Sequence, residues 1–152
     1  MTGVQTCALP ISTAFGTAGT GGFGIKNDSA ASYSTYIQWV LTIFMILFGV
    51  NFNAYYYILY KQFKKAFKME EVRYYFLIII AAVGIICYHI IDTTKSFFEA
   101  LTQASFQVAS IITTTGFSSI DFNKWSQTCK TVLVFLMFCG ACAGSKIGRA
   151  HV

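Results

Sequence analysis

The sequence has 152 residues, of which 55% are hydrophobic and 11% charged, and its formal charge is +5. That is far more apolar and less charged than an average soluble domain, so a soluble fold is the minority reading. The positive charge does not point to nucleic acid. Five of the eleven basic residues, Lys61, Lys64, Lys65, Lys68 and Arg73, share one stretch without a groove-reading motif or interleaved aromatics.

Both ends read as foreign. Ala8 to Ile11 can be encoded by GCT CTT CCG ATC, and the reverse complement, GATCGGAAGAGC, gives Ile147 to Ala150 in another frame. One sequencing-adapter oligonucleotide read on opposite strands accounts for both, with Met1 from a GTG start. Residues 1–11 and 146–152 are therefore expected to be artefact and to carry no functional information.

In chain order, Thr13 to Ser34 is dense in Gly, Thr and Ser, with five glycines between Gly16 and Gly24, and is expected to be a loop. Ile37 to Tyr60 follows, an uncharged run whose ~36 Å of helix at ~1.5 Å per residue suffices to cross a bilayer. Tyr55, Tyr56, Tyr57 and Tyr60 then meet Lys61, an aromatic belt against a basic loop, residues 61–73, that the positive-inside rule places in the cytoplasm. Tyr74 to Ile91 is expected to return to the outer face, with a turn over Asp92 to Ser96.

Phe97 to Ile112 alternates apolar residues with Glu99, Thr102, Gln103, Ser105, Gln107 and Ser110. It is too polar for lipid and too apolar for an exposed loop, which fits a half-helix packed among other helices. It runs into Thr113, Thr114, Thr115, Gly116 and Phe117, then a polar stretch to Gln127, then a third apolar run, Thr128 to Gly144. The expected fold is an all-α membrane protein of about three transmembrane helices plus a re-entrant half-helix.

A unit recurs. Thr20, Gly21, Gly22 and Phe23 precede Trp39 and an apolar run, and Thr114, Thr115, Gly116 and Phe117 precede Trp125 and another, with Gly22 and Gly116 94 positions apart. Internal repeats in transporters commonly place the ion site at their interface. Irregular backbone at membrane depth is tolerated only where protein buries it or it lines a watery path. Potassium filters use such backbone: carbonyl rings replace the hydration shell, glycine permits the dihedrals, and threonine hydroxyls hold the strand. A half-helix aiming its C-terminus at the site favours a cation.

Other patterns carry less. Gly19, Gly21 and Gly24 have dinucleotide-fingerprint spacing, but no acidic residue lies near position 44. Cys139 and Cys142 form a CxxC without an activating base, which reads as small packing residues. His89 and Asp92 read as helix-end anchors rather than a proton relay or metal pair. Asn51 and Asn53, mid-span in the first long run, read as interhelical hydrogen-bonding residues, with lining of the ion path the alternative. Paired carboxylates, a Ser-His-Asp set or an activated cysteine would suggest an enzyme, and the sequence offers none.

Over residues 12–145 the strings STAFGTAGTGGFGIKNDS, IITTTGFSSIDFNKWSQ and GACAGS resemble the Trk/Ktr/HKT superfamily, whose pore is four helix, pore-loop, helix repeats in one polypeptide. The resemblance is strongest to the Trk-type potassium uptake membrane subunit. It implies that residues 12–60 end repeat two, that 61–73 is a cytoplasmic loop and that 74–145 is most of repeat three. Gly22 and Gly116 would be filter glycines, with potassium held by backbone carbonyls over Thr20, Gly21, Gly22 and Phe23 and over Thr113, Thr114, Thr115, Gly116 and Phe117. Phe23 and Phe117 would support the filter from behind.

Gly140, Ala141, Cys142, Ala143, Gly144 and Ser145 would begin an intramembrane gate. The resemblance also implies a multi-pass protein of the plasma (inner) membrane that takes up potassium without a cofactor. It would be a homodimer with a cytosolic nucleotide-binding regulatory subunit of the TrkA kind. A filter needs four loops, so a fragment with two is expected to conduct nothing alone. The alternatives are a membrane anchor or assembly subunit without conduction, and a sodium-permeable relative.

Overall fold

The computed structural model describes residues 4–22, 33–61, 69–91, 96–118 and 125–142, and among them the regular structure is six helices. These are α1 (Val4–Ala18), α2 (Thr35–Phe48), α3 (Phe52–Leu59), α4 (Glu70–Ile90), α5 (Phe97–Ile112) and α6 (Gln127–Cys139). The all-α fold is as expected, and α5 has the bounds read from the sequence. Helix α1 begins inside the adapter-like segment.

Helix α5 is the hub: it packs on α4, α2 and α6, α1 packs on α2, and α4 on α6. Its faces are buried nearly all round, from Ala100 and Ala104 to Val108 and Ile112 on one side, and Phe106 and Ala109 on another. The first set joins Tyr75, Ile79, Ala82 and Ile86 of α4 and Cys129, Leu133 and Leu136 of α6 in one core. The second joins Leu41 and Met45 of α2 and Phe117. Alternating small and large residues let α4 approach closely, since helices in lipid are held by packing and hydrogen bonds rather than water exclusion. One such bond runs from Trp39 Nε1 to Thr102 Oγ1, 3.0 Å, tying α2 to α5.

The outward faces are apolar. Ile80 of α4 is 72% exposed, Leu59 of α3 80% and Phe138 of α6 85%. Only 33% of the most apolar stretch of α4 is buried within the fold. A soluble core helix would hide most of that surface, and patches this large need an apolar partner. Lipid supplies it.

Four expectations change. The Gly/Thr-rich segment is not loop throughout, because Thr13 to Ala18 complete α1, with Thr17 Oγ1 donating to Thr13 O at 2.8 Å. Small residues tolerate a helix where neighbours pack closely. Its stretch from 23 to 32 lies outside the described residues.

The long run Ile37 to Tyr60 is two helices, α2 and α3, bent by 92° at a break over Gly49 to Asn51. Asn51 is therefore not mid-span: its side chain caps α3, accepting from Asn53 N at 2.9 Å, and its Nδ2 donates to Glu71 Oε2 at 3.2 Å. Tyr55 Oη donates to Leu47 O and Tyr75 Oη to Ile46 O, satisfying carbonyls that the break exposes. Asn53 is exposed in the first turn of α3.

The run Tyr74 to Ile91 starts earlier, at Glu70, because Glu70 and Glu71 in the first turn complement the positive end of the helix dipole. The run Thr128 to Gly144 stops as a helix at Cys139, where Gly140 turns to φ +61°. Three unbroken spans are thus not present among the described residues. Helix α4 is long enough to cross a membrane alone, and α2 with α3 makes a second only as a bent pair.

Candidate functional site

The two Thr-Gly loops leave the C-termini of α1 and α5 by the same construction. After α5, Thr114 N donates to Ile111 O at 3.0 Å, Thr115 N to Ser110 O at 2.9 Å and Gly116 N to Ser110 O at 3.3 Å. After α1, Thr20 N donates to Thr17 O at 3.3 Å, Gly21 N to Gly16 O at 2.9 Å and Gly22 N to Gly16 O at 3.5 Å. Every donor and acceptor in one set matches the other at the 94-residue offset. Both are Schellman caps, which ordinarily put glycine in the left-handed position.

Here that position is threonine. Thr20 has φ +50° and Thr114 φ +56°, followed two residues later by Gly22 at +65° and Gly116 at +85°. A β-branched residue in this region is strained, and such strain concentrates at functional sites. The same strain at matching positions marks the loops as a built feature.

In a trans peptide the carbonyl points opposite to the N–H across the C–N bond. Since the N–H groups of Gly21, Gly22, Thr115 and Gly116 turn back into their helices, the carbonyls of Thr20, Gly21, Thr114 and Thr115 point away from them. The loops also meet: a Cβ on Gly22 would overlap the Thr115 carbonyl oxygen and lie 3.3 Å from the Gly116 carbonyl carbon. Gly116, by contrast, has open space where its Cβ would be. The C-termini of α1 and α5, the negative ends of their dipoles, lead into these two loops.

Side chains brace the second loop. Thr113 Oγ1 lies 2.7 Å from both Ala109 O and Thr115 Oγ1, and Ser110 Oγ donates to Phe117 O at 2.5 Å. Phe117 is 3% exposed, in the cluster of Leu41, Met45 and Phe106. Phe23, Ala143, Gly144 and Ser145 lie outside the described residues.

The structure brings Thr20 to Gly22 together with Thr113 to Phe117. It sets Gly140 to Cys142 elsewhere, against the break in α2, where Cys142 N donates to Gly49 O at 3.2 Å. Of the CxxC pair, Cys142 is buried as a packing residue should be, whereas Cys139 is exposed. His89 is exposed near the end of α4, and Asp92 lies outside the described residues. Trp39 and Trp125 are not counterparts, since Trp39 is inside α2 and Trp125 precedes α6. Gly16 and Ser110, the paired carbonyl acceptors, stand out in the sequence only as part of a glycine-rich stretch and of a polar alternation; the 94-residue offset, applied to the helices as well as the loops, pairs them. Gly49 also went unnoticed, and its only signal is a Gly two residues before an Asn that can cap a helix.

Fold and site together define a helical membrane protein with two identically capped helix-and-loop units that meet at Gly22 and Thr115. The chain belongs to the TrkH family, described as cation transport proteins, whose sequence model matches residues 1–149. It is 30% identical over 156 residues to the Trk system potassium uptake protein TrkH of Vibrio parahaemolyticus, covering 93% of this chain and 30% of that protein. It is 28% identical over 141 residues to the Trk system potassium uptake protein TrkI of Halomonas elongata, covering 88% of this chain and 27% of that protein. The crystal structure of the potassium transporter TrkH from Vibrio parahaemolyticus matches with a TM-score of 0.82 at 27% identity, over 90% of this chain and 30% of that one. The chain thus spans under a third of the length of these relatives.

Proposed function

We propose that this chain is part of the pore-forming subunit of a Trk-type potassium uptake system, and that its two loops are two of the four sides of a potassium filter. One observation carries the reading: Gly22 packs against the Thr115 carbonyl, so two identically capped loops share one site. Carbonyls of Thr20, Gly21, Thr114 and Thr115 replace water around a dehydrated potassium ion, and the ends of α1 and α5 lower the cost of holding its charge there. The strained caps fix carbonyl spacing before the ion arrives.

In this reading the protein is multi-pass in the plasma membrane and works as a homodimer. Its basic segment, residues 61–73, whose last four residues begin α4, faces a cytosolic nucleotide-binding regulatory subunit. Gly140 to Ser145 begin the gate, and the chain alone conducts nothing.

The test is potassium uptake by cells lacking their own uptake systems, expressing the full-length transporter that contains this segment. Gly116→Ser and Gly22→Ala should lower the preference for potassium over sodium while the protein still reaches the membrane. Unchanged preference in both variants sinks the filter reading and favours an anchoring or assembly subunit. A wild type that prefers sodium identifies a sodium-permeable relative.

A further inference from the structure

The break in α2 reaches the second loop at Gly49. Gly49 is buried where α2, α4, the end of α5 and the segment after α6 converge. Its dihedrals, φ −78° and ψ −11°, are ordinary right-handed values, so glycine is not needed here for its conformation. It is needed for space. A Cβ would overlap the Tyr75 hydroxyl and lie 2.9 Å from Thr113 Cγ2.

These two neighbours respond differently. The Tyr75 hydroxyl ends a long side chain, but its ring is buried in the core, so giving way shifts the ring there and loses its 3.2 Å bond to Ile46 O without bearing on the loop. Thr113 cannot move alone, because β-branching fixes its χ1 and its hydroxyl is tied to Ala109 O and Thr115 Oγ1. Any shift passes to Thr115, whose carbonyl faces Gly22.

We propose that Gly49 is a positioning residue for the filter: the side chain it lacks seats Thr113, and Thr113 sets the Thr114 and Thr115 carbonyls. This makes the bend between α2 and α3 a control point for ion discrimination, through a contact that reaches no ion. The same residue accepts from Cys142 N, so movement of the segment after α6 acts on the loop through it.

The proposal rests on the filter reading, and its test separates the two. In the full-length transporter, Gly49→Ala is compared with wild type, Thr113→Ser, the Gly49→Ala/Thr113→Ser double variant and Gly116→Ala. Potassium and sodium uptake, membrane abundance and thermal stability in detergent are measured for each. Serine keeps the hydroxyl of Thr113 and removes Cγ2, which relieves the contact toward the loop, while the overlap with the Tyr75 hydroxyl is the same in every variant that carries Gly49→Ala.

Gly49→Ala should retain abundance and lower potassium over sodium preference roughly tenfold, equivalent to about 1.4 kcal/mol between the ions. Against Thr113→Ser alone, the added alanine should leave ion preference little changed, a coupling that contact between the two residues requires, whereas any stability cost from Tyr75 should persist. If Gly116→Ala alters preference and Gly49→Ala does not, the filter reading stands and the proposal falls. If Gly49→Ala lowers stability and uptake of both ions equally, with or without Thr113→Ser, Gly49 is only a packing residue and the proposal falls. If neither glycine variant alters preference, the filter reading fails and takes the proposal with it.

Discussion

The carbonyl oxygen of Thr115 occupies the space that a side chain on Gly22 would need, although the residues lie in different repeats. Gly22 is therefore doubly constrained, by its φ of +65° and by this contact, whereas Gly116, at φ +85°, faces open space. Gly116→Ala should cost about 1–2 kcal/mol, the left-handed penalty alone. Gly22→Ala should cost more, because backbone must move. Thermal unfolding of the two variants in detergent ranks them, and equal costs would mean that the loops do not touch.

Ser110 tethers the second loop from below. Ser110→Ala leaves the Phe117 carbonyl without its hydroxyl donor, at an expected cost of about 1–3 kcal/mol. Hydrogen exchange at Phe117 and Ser118 should rise in this variant and stay unchanged in Ser126→Ala, whose hydroxyl lies at the start of α6.

Asn51 has two jobs that substitutions can separate. Asn51→Ser keeps a capping oxygen for α3 but loses the amide bond to Glu71, while Asn51→Ala loses both. Alanine should cost about 1 kcal/mol more than serine if the cap dominates. Identical unfolding midpoints for the two would assign the stabilisation to the Glu71 contact instead.

The bond from Trp39 to Thr102 joins α2 to the N-terminal half of α5. A double-mutant cycle of Trp39→Phe and Thr102→Val should return a coupling of about 0.6 kcal/mol, typical of interhelical bonds in a membrane. Zero coupling would leave packing, including the Trp39 and Phe98 rings at 6.1 Å, as what holds α2 to α5.

Much of this was legible in the sequence. The alternation of apolar residues with Thr, Ser and Gln fixed α5 to its bounds, because a helix surrounded by helices needs small and polar contacts that a lipid-facing helix does not. The Thr-Gly strings located the loops, since left-handed backbone leaves a mark in glycine usage. The break in α2 was hidden for the converse reason. Gly49 is right-handed and Asn51 sits in an apolar run, so hydropathy sees one span where tertiary contacts from Tyr75 and Glu71 make two helices. The end of α1 was missed because composition rich in glycine and threonine describes a packed helix terminus as well as a loop.

The left-handed threonines bear on how this protein could be improved, and how it could not. Glycine at Thr20 or Thr114 would relieve about 1–2 kcal/mol of strain at each position. Variants chosen only for heat resistance would therefore be drawn to the two loops on which the proposed filter rests. In the proposed filter, robustness is cheapest to gain where it would do the most harm, which makes the pair a place for engineers to leave alone.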